Sequence, residues 1–424
     1  MGHTITEKML AAKAHLSSCK PGDVIWCEPD LIMGHDLSAP HAFHEFQKLG
    51  IDRIQNRDKV VLVQDHFQPA KDEESARLAG VMREFASRHS IRHYFEVGRG
   101  GICHNLLIEK GMVRPGMLIA GADSHVCTFG ALGALGWGIG ATDMAALLAL
   151  GTFWLVVPYT RKIIISGKLP EWVCGKDIIL AVIGMLGEEG AVEQVLEFHG
   201  ELFDYLPMVD RITIANMSVE TGASSAIIKR NHIVDEYLAR FPVEPFEHFE
   251  TDPDASFFEE NVLDVSSLEP LVAAPHSPSN VCTVRELEDV KVDQVFLGSC
   301  TNGTIEDFRR FRDVLGDHVF AEKVRVIAVP ATQEVYLKAM EEGILRKIVE
   351  AGGVVSTPTC GPCLGGHCGV LGAGETCLST SNRNFRGRMG HAESQVYLAS
   401  PWVAAATAIT GKITHPADIP GARV

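Results

Sequence analysis

The sequence predicts an α/β protein built largely on parallel sheets, and three observations carry that prediction. Short β-branched runs are followed by polar turns and then by helical periodicity, the alternation of a parallel α/β architecture. The composition, 46% hydrophobic and 22% charged over 424 residues, is that of a globular protein with room for about three domains. The densest polar clusters fall directly after apolar runs, and in parallel α/β sheets ligands bind beyond the carboxyl ends of the strands.

In chain order, the N-terminal MGHTITEKMLAAKAHL reads as an amphipathic helix. It lacks the charged start and continuous apolar run of a signal peptide. Val60–Val63 is a strand candidate, and Leu78, Val81, Met82 and Phe85 then recur at helical spacing. Met117–Ala120, Ile163–Ile165, Val295–Leu297 and Val324–Val329 repeat the strand signature. Gly136-Trp-Gly138-Ile-Gly140 has the wrong spacing for a dinucleotide loop and reads as a place of close backbone packing. Ala145–Pro158, at 14 residues, is too short to span a bilayer and reads as a buried helix. Soft boundaries near Pro158 and residue 285 divide the chain into units 1–157, 158–285 and 286–424. Phe241–Pro278, rich in proline and acidic residues, reads as an excursion before the last unit. The sequence holds no internal repeat and no low-complexity tract.

A formal charge of −16 weighs against nucleic acid as a partner. The basic residues Arg383, Arg386 and Arg388 make a small patch suited to a small anion. Eleven cysteines without a signal peptide point to reduced thiols or metal ligands and to the cytoplasm, with no membrane partner. Cys19, Cys27, Cys174 and Cys282 sit alone and read as small hydrophobes.

The chemistry gathers where strands end. Asp65–His66 follows Val60–Val63, Asp123-Ser124-His125 follows Leu118–Ile119, and Cys300 follows Val295–Leu297. Thr359-Cys360-Gly-Pro-Cys363-Leu-Gly-Gly-His367 places two sulfurs on a turn near one metal. Alone, such a pair fits a redox disulfide, zinc (with His367 and Cys368 as further ligands) or iron–sulfur. Gly298-Ser-Cys300-Thr-Asn302-Gly303 brings another sulfur to a strand end. An electron-transfer cubane normally has four thiolates. Three leave an iron with a free position, which acts as a Lewis acid, so the cysteine count speaks for catalysis. Ser124 lies between acid and base, but no G-x-S-x-G elbow surrounds it.

Gly298-Ser-Cys-Thr-Asn-Gly303, Cys360-Gly-Pro-Cys363, Ser379-Thr-Ser-Asn-Arg-Asn-Phe-Arg-Gly-Arg388, Gly121-Ala-Asp-Ser-His125 and Asn216-Met-Ser-Val-Glu220 occur in one order that resembles the signatures of the aconitase family. The resemblance runs from about residue 24 to 415. It implies three α/β/α domains around a central [4Fe–4S] cluster held by Cys300, Cys360 and Cys363, with Cys368 and Cys377 as packing residues. It implies catalytic carboxylate–histidine pairs: Asp65 with His66, which assists loss of a hydroxyl, His104 with Asp123, and His125 with Glu220. It places Ser124 as a hydrogen-bonding residue near the cluster and Asn216, Asn382, Arg383 and Arg388 in the substrate-binding set, with Arg386 left exposed. His35-Asp36 stands where citrate-cycle aconitases carry Gln-Asp, which turns the substrate toward the branch acting on isopropylmalate and homoaconitate. His35 joins the candidates there, for substrate contact or for support.

The single-chain members of this family carry a further, swivelling domain that supplies a substrate-binding arginine and the serine base. This chain closes after Ser394-Gln-Val-Tyr-Leu-Ala-Ser-Pro401 and Gly411-Lys-Ile-Thr414, so the resemblance implies a separate small subunit that brings the base. The function expected is a hydro-lyase interconverting substituted malates, with a dicarboxylate or tricarboxylate substrate such as isopropylmalate or homocitrate. A catabolic dehydratase of citramalate or dimethylmalate is the alternative. An RNA-binding or purely electron-transferring cluster protein are the rivals from other classes.

Overall fold

The computed structural model describes residues 2–242 and 246–424. Its framework is three large sheets and a short two-stranded ribbon. The first sheet is wholly parallel, ordered His93–Phe95, Val60–Val63, Leu31–His35, Leu118–Gly121, Leu135–Gly138. Val60–Val63 is buried at every position, which explains why its sequence is a continuous apolar run rather than an alternation. Helix Glu73–Arg88 follows it, started by the Asp72 side chain accepting from Ser75 N–H, and buries Leu78, Met82 and Phe85.

The order of this sheet reverses between Leu31–His35 and Leu118–Gly121, which makes their carboxyl ends the place for a ligand crevice. The third sheet behaves alike. Its parallel strands run Gln395–Ala399, Thr376–Ser379, Gln294–Leu297, Arg325–Ala328, Val354–Val355, and the reversal falls between Gln294–Leu297 and Thr376–Ser379. The second sheet is also parallel, ordered Ser225–Ile228, Gln194–His199, Tyr159–Ser166, Glu260–Asp264. One buried cluster takes side chains from all three sheets, among them Val61, Ile163 and Phe296, so the sheets meet on a shared core.

The expected α/β class holds. The strand expectations fall on Leu118–Gly121, Tyr159–Ser166, Gln294–Leu297 and Arg325–Ala328, with one-residue shifts at several ends and the second strand starting at Tyr159 instead of Ile163. Three readings need correction. Ala145–Pro158 is not one buried helix: helix Ala141–Leu150 stops at Gly151, which takes the left-handed conformation (φ 79°) that favours glycine. Phe153–Val156 then forms a strand antiparallel to Val24–Cys27. The N-terminal helix, Ile5–Lys13, is closed by a Thr4–Glu7 capping box and buries most of its length, more than an amphipathic surface helix would; Met1 lies outside the described residues. The stretch 241–278 is more than an excursion, because Glu260–Asp264 edges the second sheet and Leu271–Ala273 joins the third; residues 243–245 lie outside the described residues. No helix among the described residues is long and apolar enough to cross a membrane.

Two glycines allow close backbone contact. A Cβ on Gly136 would meet Val126 O at 1.9 Å, which bears out the close packing expected of that segment. A Cβ on Gly101 would meet Ala331 O at 2.3 Å, where Gly101 bridges Thr332. Gly101→Ala is therefore expected to lower stability by about 1–3 kcal/mol through overpacking, read by denaturant unfolding, whereas Gly187→Ser, with open space around its Cβ position, serves as the positive-φ control.

Candidate active site

The chain reversals of the first and third sheets put their functional residues face to face. Past Val63 the chain leaves the sheet and turns, which lets neighbouring Asp65 and His66 meet: His66 Nδ1 lies 2.6 Å from Asp65 Oδ1. The turn is held by Asp36, whose carboxylate accepts from the backbone N–H groups of Asp65, His66 and Phe67 at 2.8–3.0 Å. Burial alone would lower the His66 pKa, but Asp65, with Asp36 and Asp123, outweighs it and lifts it to about 9. Against its own burial, Asp65 is held well below the carboxylate range by His66 and His35.

Asp123 sits among histidines. Its carboxylate oxygens lie 3.3 Å from His104 Nε2, 3.4 Å from His35 Nε2, 3.6 Å from His125 Nδ1 and 3.8 Å from His66 Nε2. Despite burial, these rings keep Asp123 ionised, His104 first among them. His104 is near enough to Asp123 for an ion pair but is not aligned for a hydrogen bond, so its buried Nε2 has no partner among the described residues. His35 stacks on the His66 ring at 3.9 Å and does not line the central cavity. Beyond, His125 Nε2 meets Glu220 Oε1 at 3.0 Å, and Glu220 in turn receives Arg383 Nε at 2.8 Å. Burial raises the Glu220 pKa and His125 and Arg383 pull it below its usual value.

The third sheet delivers the sulfurs. Cys300 stands on a short helical turn, Ser299–Asn302, entered through Gly298 and Ser299 at positive φ, just past Gln294–Leu297. Cys360 and Cys363 follow Val354–Val355 on the turn Gly361–Leu364. All three thiols are buried and line one cavity of about 130 Å³ with His66, His104, Asp123, Ser124, His125, Asn382, Arg383 and Arg388. The neighbouring Cys360 thiol, with Arg388 alongside, keeps Cys363 low in pKa, while Cys363 and burial push Cys360 up. Arg388 faces the Cys363 sulfur, yet its buried Nε finds no partner among the described residues. Asn216 and Asn382 each aim an amide N–H at Cys300 Sγ, at 3.2 and 3.4 Å. Ser124 Oγ lies 3.3 Å from His125 Nδ1 at the solvent side.

The expected site residues lie close together, with His35 behind the cavity wall instead of on it. Asn216 and Glu220 come from helix Met208–Met217 and the turn after it. Cys368, expected to pack, is exposed, with Sγ 3.0 Å from His367 Nδ1; the left-handed backbone there (φ 54°) swings it out of the core. His367 turns its Nε2 to His66 O at 3.0 Å. Cys377 is buried and Arg386 exposed, as expected.

The tightest knot of ligand-type atoms among the described residues is elsewhere: His35, Asp36, Asp65 and His66, all within 4.8 Å of one another. Lone pairs of its Asp36 and Asp65 carboxylates are already spent on backbone N–H groups and on the Asp65–His66 bond.

Sequence reasoning missed two supports. Asp36 was met only as a neighbour of His35. Lys176 is fully buried and donates from Nζ to Thr380 O at 2.9 Å, Ser381 O at 2.6 Å and Asn302 Oδ1 at 3.2 Å, clamping the loops that carry Asn382 and Cys300. Burial lowers its pKa to about 8. The available signal was a lysine and an aspartate at the start of the otherwise apolar helix Gly175–Leu186.

The chain belongs to the aconitase family: the family model described as aconitase family (aconitate hydratase) matches residues 7–289 and 284–411. Among its relatives is the 3-isopropylmalate dehydratase large subunit of Clostridium botulinum (strain Eklund 17B / Type B), 49% identical over 98% of this chain and 99% of that one. The protein of the same description from Thermodesulfovibrio yellowstonii is 48% identical over 99% of this chain and 100% of its own length. In fold, the chain matches the crystal structure of Thermococcus kodakaraensis aconitase X with a TM-score of 0.52 at 12% identity, covering 92% of this chain and 94% of that one. The family implies an iron–sulfur cluster. The residues present fit one: three buried thiols line a common cavity instead of forming a tight single-ion knot, and amide donors point at one sulfur.

Lys176→Met should destabilise the fold by at least about 3 kcal/mol, since each buried acceptor left unpaired costs about 1–3 kcal/mol. Thermal unfolding of the variant checks it, and Lys176→Arg is expected to recover only part of the loss, because a planar fork replaces a compact ammonium.

Proposed function

We propose that this chain is the large subunit of a hydro-lyase that interconverts 2- and 3-substituted malates of the isopropylmalate type, holding a [4Fe–4S] cluster on Cys300, Cys360 and Cys363. The observation that carries the proposal is one cavity, lined by those three thiols, into which acid–base histidines and two arginines also converge. The names of the relatives support the substrate class and a separate small subunit. The proposal takes the chain as units 1–157, 158–285 and 286–424, one to each large sheet, with Leu271–Ala273 and Val281–Thr283 crossing to the third sheet. It also takes the chain as cytoplasmic, in keeping with eleven free cysteines.

When bound, the cluster supplies a Lewis acid at the iron that lacks a cysteine. The chain's own residues divide the remaining work. Arg388, with its unpartnered Nε, and Arg383, aimed by Glu220, take the substrate carboxylates as charge-assisted forks. His66, kept protonated by Asp65, gives a proton to the departing hydroxyl. His104, with its free Nε2, and Asp123 hold that hydroxyl in line, and Ser124 bonds at the mouth. His125 and Glu220 keep Arg383 in place. Asn216 and Asn382 stabilise the Cys300 thiolate by N–H donation, a role closer to the cluster than to the substrate. His35 braces His66 by stacking. The small subunit brings the base that removes the carbon-bound proton.

The test is anaerobic preparation with iron and sulfide. The wild type should bind a cluster whose reduced EPR spectrum changes on adding 3-isopropylmalate, and Cys360→Ser should lose it; an unchanged spectrum counts against the proposal. A pH profile gives a second check. His66 has a raised pKa, so its proton, and the Asp65–His66 contribution to stability, is fully present below the ordinary imidazole value of about 6.5 and is lost as pH rises through about 9. With the small subunit present, kcat/KM should therefore fall on the alkaline side near pH 9. Asp65→Asn should move that limb down by about one unit or more.

A further inference from the structure

The ribbon formed by Val24–Cys27 and Phe153–Val156 stands apart from the three large sheets, and its two faces differ sharply. Ile25, Cys27, Phe153 and Leu155 point inward and are buried. On the outer face Trp26 and Trp154 sit directly opposite each other in register, 55% and 56% exposed, flanked by exposed Val24 and Val156. Exposed Leu150 and Tyr159 extend the patch. Isolated exposed apolar residues are ordinary, but a contiguous patch with a tryptophan pair at its centre marks an interaction surface.

The patch forms one wall of a groove of about 700 Å³ that also takes in Trp137, Gly138, Ile139 and Ser224. Those four residues line, in addition, a hollow of about 480 Å³ that opens over Asp123 and Ser124. Groove and site mouth are therefore continuous, with the end of the strand Leu135–Gly138 between them. A body that rests on the tryptophans extends over the mouth.

Charge selects the occupant. Among the described residues, the charged ones lining the groove are Asp143 and Glu193, and no lysine or arginine lines it. A second copy of this chain would set acid against acid on top of a formal charge of −16 per chain, so self-association through this face is disfavoured. A partner with an apolar centre and a lysine- or arginine-bearing rim fits.

We propose that the Trp26–Trp154 face is the seat of the small subunit, which docks there with an apolar centre and basic rim and so reaches across Trp137–Ile139 to close the mouth over Asp123 and Ser124. This rests on the function proposed above. Aromatic anchors of this kind dominate interface energies, and the acidic rim sets the approach of the partner.

The test uses the full chain and the small subunit from the same organism, prepared anaerobically, with association followed by sedimentation velocity. The variant W26S/W154S should bind the small subunit about 30-fold or more weakly, the usual effect of truncating an aromatic anchor, with unchanged cluster content. Val156→Lys, a second route that leaves the tryptophans in place, should weaken binding in the same direction. Val319→Ser, an equally exposed apolar site elsewhere, should change it less than about threefold. Raising salt should slow association with the wild type. Wild-type affinity in both patch variants would overturn the proposal, as would no association of the wild type, or a loss confined to self-association of this chain. The function reading is judged separately, on the response of the wild-type chain's reduced cluster to 3-isopropylmalate, so either reading can fail alone.

Discussion

Asp65 accepts a hydrogen bond from His66 with one carboxylate oxygen and from Cys103 N–H with the other, while its backbone carbonyl accepts from Cys360 N–H at 2.8 Å and Thr359 Oγ1 at 2.9 Å. One residue thus fixes the proton-carrying histidine, the start of the helix that bears His104 and the loop that bears two thiols. Such a residue is tolerated at full burial only because both oxygens and the carbonyl are satisfied. The arrangement cannot assemble on one sheet. Asp65 belongs to the end of a first-sheet strand and Cys360 to the loop after a third-sheet strand, so the site exists only when these sheets are docked.

The same economy governs charge. Asp123 collects four imidazoles within 3.8 Å, and Glu220 joins His125 to Arg383. Buried charges are costly unless paired and hydrogen-bonded, and the pairs that remain incomplete are informative. His104 Nε2 and Arg388 Nε are polar atoms buried without partners among the described residues, and both belong to residues lining the cavity of the thiols. In our account a hydroxylated carboxylic acid completes them. Lys176, by contrast, is fully paired, and its work is to keep the Cys300 and Asn382 loops from drifting apart.

Much of this was legible in the sequence because parallel strands advertise themselves. Val60–Val63 and Val295–Leu297 are apolar runs with chemistry at their carboxyl ends, and the topology then places Asp65, Asp123 and Cys300 at the reversals of sheet order. The second sheet broke the pattern: Asn216 and Glu220 reach the site from the end of a helix, where no apolar run announces them, and only the family motif singled them out. Asp36 was hidden because its role is to accept backbone N–H groups about 30 residues away, a tertiary property without local signature. The apolar run from Ala145 misled because helix and strand share composition there, and Gly151 was the overlooked stop. That same misreading concealed the exposed tryptophan face, since alternation appears only once Phe153–Val156 is taken as a strand.

We propose that three thiols hold four irons and leave one of them to the substrate. Mössbauer spectroscopy of the anaerobically prepared, iron-57-labelled chain tests it most directly, with and without 3-isopropylmalate. The account predicts that one iron site of the cluster responds to the acid while the others do not. A cluster whose irons are all indifferent to the acid, or a chain that takes up no iron and sulfide, would contradict it.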